Sequence, residues 1–303
     1  MSIVVVGSVA FDTIDAPAGK VERAIGGSAT YFSIAASYFA PVRLVAATGE
    51  DFTSEHRSVL EKRGVDLEGL AVVEGGKTFF WEGRYGKDPN ERDTITTELN
   101  VFDGFDPQMP ESYRDCEWLF LGNIDPEIQL KVLEQMKERP YVGCDTMNFW
   151  IEGKPDSLRE LLKRINILFI NDSEARLLSG ELNIFAAARA ILEMGPETLV
   201  IKKGEHGAFL FTGDFRFFAP AYPLADVIDP TGAGDSFAGG FMGYLAGSAS
   251  RDEQHLKMAM LYGTAAASFT CERFSVERLA ALSQDDIDER LDALIDLVSV
   301  ERP

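Results

Sequence analysis

Short apolar runs alternate with helix-like segments along most of this chain of 303 residues. Residues 3–6 form a β-branched run that a glycine ends, and residues 42–49 form a second strand-like run. Between them, residues 26–40 have the apolar spacing of a helix that opens behind two glycines. This alternation predicts an α/β fold with a doubly wound, mostly parallel sheet flanked by helices.

The alternation stops between about residue 70 and residue 105, where three extended segments follow one another without a helix. Such a run predicts a small β lid, which we expect to comprise approximately residues 13–24 and 71–105. The sequence contains no linker-like or low-complexity segment that would divide it. We therefore expect a single domain over residues 1–303 with an inserted β lid.

The charge balance limits the partners of the chain. It has 49 acidic and 29 basic residues, and the net charge of −20 repels nucleic acid and anionic membrane surfaces. The same field opposes a nucleotide, so a phosphate site needs local donors and a divalent metal. The first residues lack a basic leader, and no apolar run approaches the roughly 18 residues of a membrane helix. We expect a cytoplasmic protein that binds neither nucleic acid nor membranes.

Residues 229–243, DPTGAGDSFAGGFMG, combine a turn, a helix start and a carboxylate. Gly232, Ala233 and Gly234 let backbone approach a ligand closely, and a helix begins near Asp235. The first N–H groups of a helix lack intrahelical partners and, with the positive end of its dipole, bind phosphate oxygens. Because the three histidines are scattered, a carboxylate is the better candidate for a base, and Asp235 lies beside the predicted anion site.

This segment resembles the C-terminal signature of the ribokinase-like, or PfkB, carbohydrate kinases, D-[TP]-x-G-A-G-D, at every position of the pattern. The resemblance implies that the backbone of Gly232, Ala233 and Gly234 forms the anion hole for the transferred phosphate. It places Thr231 with these glycines in the ATP site. It also implies that Asp235 takes the proton from the substrate hydroxyl.

A second motif follows the predicted strand ILFI. Asn171 and Glu174 have the spacing of a capping box, which by itself explains both residues. The segment also resembles the N-x-x-E motif of the family, which implies that Asn171 and Glu174 organise water and Mg²⁺ around the nucleotide phosphates. The two interpretations are compatible.

The segment KKGEHG at residues 202–207 reads on its own as a hairpin with a charged turn. It resembles the family's G-x-x-G turn, which lies under the nucleotide and would place Gly204 and Gly207 in the ATP site. We also interpret Lys203 as a side chain that reaches a phosphate.

The acceptor side is predicted near the N-terminus. Asp12 follows a strand end and a turn, and its carboxylate suits hydrogen bonds from sugar hydroxyls. GSVAFD and GGSATYFSIAAS resemble the family's opening motifs, which implies that Asp12, Gly26 and Gly27 hold the acceptor. Tyr31 stands where sugar kinases commonly carry Asn, and Ala10 occupies another frequent Asn position. These departures argue against D-ribose as the substrate.

Two further residues are assigned to the acceptor site. Asn148 lies in a loop that resembles the D-x-N region of the family, and a plain polar loop is the alternative. Arg92 lies near the turn of the β lid, where a solvated loop is the alternative. The lid aromatics either pack together or stack on a flat acceptor.

Together these features predict an ATP- and Mg²⁺-dependent kinase that phosphorylates a hydroxyl of a sugar or sugar-like molecule. The alternatives within the fold are a nucleoside kinase and a vitamin kinase. A non-catalytic nucleotide or sugar sensor is the alternative from another class. The resemblance leaves a monovalent cation and a homodimer open.

Overall fold

The computed structural model describes residues 1–248 and 250–299. In these ranges, thirteen strands form two sheets. The strands are β1 (Ile3–Val6), β2 (Ala10–Ala16), β3 (Gly19–Gly26), β4 (Val42–Gly49), β5 (Asp66–Val73), β6 (Phe79–Tyr85), β7 (Arg92–Glu98), β8 (Trp118–Leu121), β9 (Tyr141–Asp145), β10 (Ile167–Asn171), β11 (Thr198–Lys202), β12 (Ala208–Thr212) and β13 (Arg216–Ala219).

Helices connect and cover the strands. The α-helices of the described ranges are α1 (Ser28–Ala36), α2 (Ser54–Glu61), α3 (Pro126–Glu134), α4 (Asn148–Gly153), α5 (Pro155–Leu162), α6 (Asp172–Ser179), α7 (Ile184–Leu192), α8 (Ala233–Gly247), α9 (Glu253–Thr270), α10 (Glu277–Ala280) and α11 (Gln284–Val298).

The larger sheet has the strand order β13-β12-β11-β10-β9-β8-β1-β4-β5 in the described ranges. The seven strands from β11 to β5 in this order run parallel, and β12 pairs antiparallel with both β11 and β13. Alternate strand residues enter two hydrophobic cores, one on each face of the sheet. The doubly wound, mostly parallel sheet predicted from the sequence is confirmed.

The smaller sheet is the β lid, with the order β3-β2-β6-β7. The sequence prediction extended it to residue 105, but its last strand ends at Glu98 and a 3₁₀ turn at Asn100–Phe102 follows. The prediction also assigned residues 71–73 to it, and this was wrong. Those residues end β5, which pairs in parallel with β4 at the edge of the larger sheet. Most side chains of β5 are not buried, as expected of an edge strand, so its pattern resembles that of the lid strands. Hereafter the β lid means residues 10–26 and 79–98.

The glycines of α8 let three helices approach closely. A β-carbon on Gly239 would lie 2.5 Å from the carbonyl oxygen of Phe32 in α1, and one on Gly240 would lie 2.7 Å from that of Tyr262 in α9. Such distances exclude any side chain. This packing fixes the start of α8 against the sheet.

Asp51 joins the β lid to the end of β4. One carboxylate oxygen accepts hydrogen bonds from the backbone N–H and the hydroxyl of Thr78, just before β6. The other accepts a 2.8 Å bond from Arg23 of β3. Asp51, which follows β4 at the carboxyl edge of the large sheet, therefore bonds both chain segments of the β lid, one through Arg23 and the other through Thr78.

None of the helices in residues 1–248 and 250–299 combines the length and apolar character needed to cross a bilayer.

Candidate active site

Three neighbouring parallel strands end in polar residues at one edge of the sheet. β9 ends at Asp145, β10 at Asn171 and β11 at Lys202. Asn171 lies opposite Lys202 in the register, and Phe169 lies opposite Asp145. Because the carboxyl ends of parallel strands meet at one edge, these side chains converge where ligands bind in doubly wound sheets.

Lys202 and Asp145 form an ion pair across this edge. The Lys202 ammonium donates a hydrogen bond of 2.8 Å to Oδ2 of Asp145, and the side chains are 18% and 8% exposed. Burial lowers the pKa of Lys202, but Asp145, Glu174 and Asp235 outweigh that effect and the net shift is upward. The ammonium is therefore charged at neutral pH.

The start of α8 faces the same edge. Gly232 has a φ of 76°, a left-handed conformation that favours glycine. The N–H of Ala233 donates to the carbonyl of Pro230 at 3.2 Å. This N–H is therefore already hydrogen-bonded within the turn, although the sequence interpretation assigned it to the anion hole. The amides of Gly234 and Asp235 open the helix and have no intrahelical acceptor available. The amides available to the predicted anion site are therefore those of Gly234 and Asp235, and we centre that predicted site on them.

Asp235 lies in the first turn of α8 and is half-buried. Burial, followed by repulsion from Asp145, raises its pKa to about 7, against an opposing effect of Lys202 and Arg92. A carboxylate with a pKa near the working pH is suited to accept a proton. Arg92 is exposed on β7 of the β lid, and from there its positive charge opposes the rise in the pKa of Asp235.

Asn171 and Glu174 form the predicted capping box at the start of α6. The side chain of Asn171 accepts a 2.8 Å bond from the N–H of Glu174, and Glu174 Oε2 accepts one of the same length from the N–H of Asn171. Burial and the Asp145 carboxylate raise the pKa of Glu174 to about 7. Glu174 thus caps the helix and belongs to the charge cluster at the strand ends.

Asp12, in β2 of the β lid, adds a further carboxyl group to those of Asp145, Glu174 and Asp235. Its side chain is only 4% exposed, and a β-carbon built on Gly26 would lie 1.8 Å from its Oδ2. Burial, then the charges of Asp229 and Asp235, raise the pKa of Asp12 to about 8, while the Gly27 amide opposes the shift. Asp12, Gly26 and Gly27 therefore lie together, and the charge of Asp235 acts on Asp12; their contact with an acceptor remains a prediction.

The chain resembles known kinases over almost its whole length. The profile of the pfkB family carbohydrate kinases matches residues 1–280. The chain belongs to the PfkB family. A cytidine kinase of Thermococcus kodakarensis is 34% identical over 254 residues, which are 82% of this chain and 90% of that protein.

Two further comparisons extend the likeness. A 2-dehydro-3-deoxygluconokinase of Thermoproteus tenax is 36% identical over 262 residues, which are 78% of each chain. The structure of an aminoimidazole riboside kinase from Salmonella enterica, complexed with its riboside and an ATP analog, has a TM-score of 0.75 and 20% identity over 96% of this chain and all of that one. That likeness shows the fold. This PfkB-family protein is an ATP-dependent kinase of the sugar and nucleoside class.

In this PfkB kinase, Tyr31 of α1 lies against Gly232, the glycine of the turn that precedes α8. A β-carbon on Gly232 would fall 2.3 Å from the Tyr31 ring, so the ring packs flat against that glycine. The tyrosine is 1% exposed, and its buried hydroxyl has no hydrogen-bond partner in the described ranges. Burial and the charges of Asp12 and Asp229 raise its pKa well above the usual value. The Tyr31 hydroxyl is therefore protonated at neutral pH and donates no hydrogen bond in the described ranges.

Asp229 and Thr231 brace the turn before α8. Asp229 accepts bonds from the N–H groups of Thr231 at 2.9 Å and of Ser275 at 3.0 Å. The hydroxyl of Thr231 lies 3.0 Å from that of Tyr85 in β6. The turn is therefore linked to the β lid.

The G-x-x-G turn lies under the loop of the β lid. Gly204 and Gly207 have φ of 54° and 85°, which explains the glycines. The side chain of Asn90 packs on Gly204 and donates a 2.5 Å bond to Glu205. Lys203 bonds Gly207 through its backbone. The roles of Gly204, Gly207 and Lys203 toward ATP remain predictions.

The structure brings two residues into the site that the sequence interpretation did not select. Lys202, rather than its neighbour Lys203, lies among the carboxylates of Asp145, Glu174 and Asp235. Asp145 is the last residue of β9, three residues before the selected Asn148. Asn148 is exposed at the start of α4, and its contact with an acceptor remains a prediction. The D-x-N resemblance was the available signal for Asp145.

The residues at the strand ends fit a hydrated magnesium ion. In the described ranges, His, Cys, Asp and Glu side chains do not gather into a group of three that could enclose a metal. Glu174 uses one carboxylate oxygen in the capping box, which leaves the other free to bind. Since Mg²⁺ keeps several water ligands beside phosphates and one or two carboxylates, the free oxygen of Glu174 suits a water-bridged ion. Oδ1 of Asn171 already accepts bonds from Ser173 and Glu174, and its role toward Mg²⁺ remains a prediction.

Proposed function

We propose that this kinase transfers the terminal phosphoryl group of ATP to a primary hydroxyl of a nucleoside. The observation that carries the proposal is the placement of two carboxyl groups at one site: Asp12, buried on the β lid, and Asp235, half-buried at the start of α8, whose charge acts on Asp12. One carboxylate comes from the β lid and the other from the start of α8. The cytidine kinase relative, matched over 90% of its length, supports a nucleoside over a simple sugar.

The residues have separate tasks in this reaction. Asp12, with Gly26 and Gly27, binds hydroxyls of the acceptor. The amides of Gly234 and Asp235 bind the phosphoryl oxygens at the positive end of α8. Asp235 accepts the hydroxyl proton as the acceptor oxygen attacks phosphorus. The β lid excludes water, which would otherwise hydrolyse ATP.

Magnesium bound through Asn171, Glu174 and water would neutralise phosphate charge, which phosphoryl transfer needs more than a strong base. Gly204, Gly207, Thr231 and Lys203 are proposed to border the nucleotide. For a monovalent cation we propose no role. Comparing rates in potassium and in tetramethylammonium salts tests that point.

The experiment measures ADP formation with a panel of nucleosides, pentoses, hexoses, polyols and 2-dehydro-3-deoxygluconate. We expect the highest kcat/KM with a nucleoside and a nucleoside monophosphate as the product. A larger kcat/KM with a sugar or sugar acid would make a sugar kinase the correct assignment. ADP formation that no acceptor stimulates would instead favour a sensor.

Four proposals concern the whole molecule. Residues 1–303 form one domain with the inserted β lid, and the reaction takes place in the cytoplasm, where ATP is supplied. The net charge of −20 disfavours nucleic acid as a partner. A homodimer paired through the β lid is the assembly we propose, and light scattering after size exclusion distinguishes it from a monomer.

A further inference from the structure

The Lys202–Asp145 ion pair is unusual among the salt bridges of residues 1–248 and 250–299. Its partners are 18% and 8% exposed, whereas most other pairs involve at least one side chain that is about a third exposed or more. A buried ion pair contributes little net stability, because desolvation offsets the attraction. Its presence at the carboxyl edge of the sheet therefore calls for a functional explanation.

The ammonium lies at the start of α8. A β-carbon built on Gly234 would be 2.9 Å from Nζ of Lys202, so the charge touches the backbone on which we centre the anion site. The carboxylates of Asp145, Glu174 and Asp235 act on this one lysine. An anion that entered between the α8 amides and Lys202 would meet a positive charge that is already desolvated and held in place.

We propose that Lys202 is a catalytic residue that binds the phosphoryl group in transit, and that Asp145 is a positioning residue that holds the Lys202 ammonium beside Gly234. This inference rests on the proposed function. In the step itself, the bond from phosphorus to the leaving oxygen of ADP breaks and the bond to the acceptor oxygen forms. The acceptor proton passes to Asp235, and Lys202 keeps its protons.

The strand geometry explains why Lys202 has this role and Lys203 does not. Val200 packs in the same hydrophobic core as Phe237 of α8, whereas Leu199 and Ile201 pack in the core on the opposite face. Side chains two residues apart on a strand share a face, so Lys202 is directed toward α8. The pair could alternatively serve only to join β9 to β11, and the experiment must separate these roles.

The test compares Lys202→Met and Lys202→Arg with the parent and with Lys163→Met, an exposed lysine whose partner is Glu160. We expect Lys202→Met to lower kcat about a hundredfold, as loss of a transition-state donor does, with the acceptor KM unchanged. Lys202→Arg keeps the charge and should recover part of kcat, and Lys163→Met should match the parent. A kcat for Lys202→Met equal to that of the parent would overturn the proposal.

A binding measurement supplies a readout that does not depend on turnover. Calorimetry with ADP, magnesium and aluminium fluoride presents a mimic of the phosphoryl group in transit, and ADP alone is the reference. We expect Lys202→Met to weaken binding of the mimic at least about tenfold while ADP affinity is retained, since transition-state contacts affect analogues more than ground-state ligands. Equal affinity of parent and variant for the mimic would contradict the proposal.

Removing Lys202 alone leaves Asp145 buried without a partner, which can unfold the protein. The double variant Lys202→Met/Asp145→Asn removes both charges and keeps the volumes similar. We expect the folded double variant to lose as much kcat as Lys202→Met, because Asp145 acts through Lys202. Parent-like turnover in the double variant would refute the assignment. A parent enzyme without acceptor-dependent turnover would contradict the proposed function instead.

Discussion

The carboxylate of Asp12 occupies the space that a side chain of Gly26 would fill. The two residues lie on the paired strands β2 and β3, and a β-carbon on Gly26 would be 1.8 Å from Oδ2 and 2.4 Å from Cγ of Asp12. Gly26 is not among the residues with positive φ in the described ranges. Close approach of the carboxylate, and not backbone conformation, therefore accounts for this glycine.

Gly26→Ala should displace the Asp12 carboxylate and weaken acceptor binding. We expect the acceptor KM to rise at least about tenfold, the equivalent of 1.4 kcal/mol, with ATP affinity retained. Steady-state kinetics and calorimetry with ATP check this. Gly213→Ala is the matched control, because a β-carbon there meets open space. A Gly26→Ala variant with parental KM would show that Asp12 does not bind the acceptor.

Asp235→Asn should remove the base while the anion site remains. We expect kcat to fall at least about a hundredfold, the lower range for loss of a general base, and ATP to bind as before. The measurement is single-turnover product formation together with calorimetry. Equal rates in the variant and the parent would refute the assignment of Asp235.

The rate should also depend on pH through Asp235. Burial, followed by repulsion from Asp145, raises the pKa of Asp235 to about 7, and only the ionised form accepts the proton. We expect kcat at saturating acceptor to fall about tenfold per pH unit as the pH drops below about 7 and to level off above it. A pH–rate profile from pH 5 to 9 checks this, and a flat profile below pH 7 would rule out such a base.

Asp12 should make the free protein less stable at alkaline pH. Burial, followed by the charges of Asp229 and Asp235, raises its pKa from 3.8 to about 8, so the folded state holds a proton that the unfolded chain has lost. The free energy of unfolding therefore falls as the pH rises from about 4 to about 8. We expect Asp12→Asn to be more stable than the parent at pH 8 by on the order of a few kcal/mol.

This prediction is checked by urea unfolding at pH 8 and at pH 4.5, where the difference should shrink. Asp12→Asn should at the same time lose acceptor-dependent turnover. A variant less stable than the parent at pH 8 would mean that the carboxylate is ionised and favourably solvated in the folded state.

The sequence predicted the large sheet because its signals are local. Apolar strand runs and helix periodicity identify each element on its own, and alternation of the two dictates parallel pairing. Residues 71–73 were misassigned because an edge strand with exposed side chains has the same local pattern as a lid strand. Only the pairing of β5 with β4, a long-range contact, distinguishes them.

The candidate site residues also differ in whether a local sequence signal marks them or only a long-range contact does. Asp235, Gly232 and the Asn171–Glu174 box were selected from the sequence because each lies in a short motif with its own physical cause. Lys202 was missed because TLVIKK is apolar on both faces of a buried strand, so the sequence does not reveal which of two adjacent lysines faces α8. That choice depends on the packing of β11 between two cores.

Tyr31→Phe should separate packing from recognition at the residue that replaces the sugar-kinase Asn. The Tyr31 hydroxyl is buried without a partner in the part of the chain that the structure describes, so its removal breaks no internal hydrogen bond. We expect the melting temperature to stay the same or rise, since an unpaired buried hydroxyl costs about 1–3 kcal/mol.

If this hydroxyl donates to the acceptor, the same variant should raise the acceptor KM about tenfold. The acceptor atom that the Tyr31 hydroxyl bonds would then be bound without a hydrogen-bond donor. Thermal unfolding and steady-state kinetics on the one variant measure both effects. An unchanged melting temperature with an unchanged KM would leave the Tyr31 ring, packed on Gly232, as a wall of the site. Binding by the hydroxyl would then be excluded.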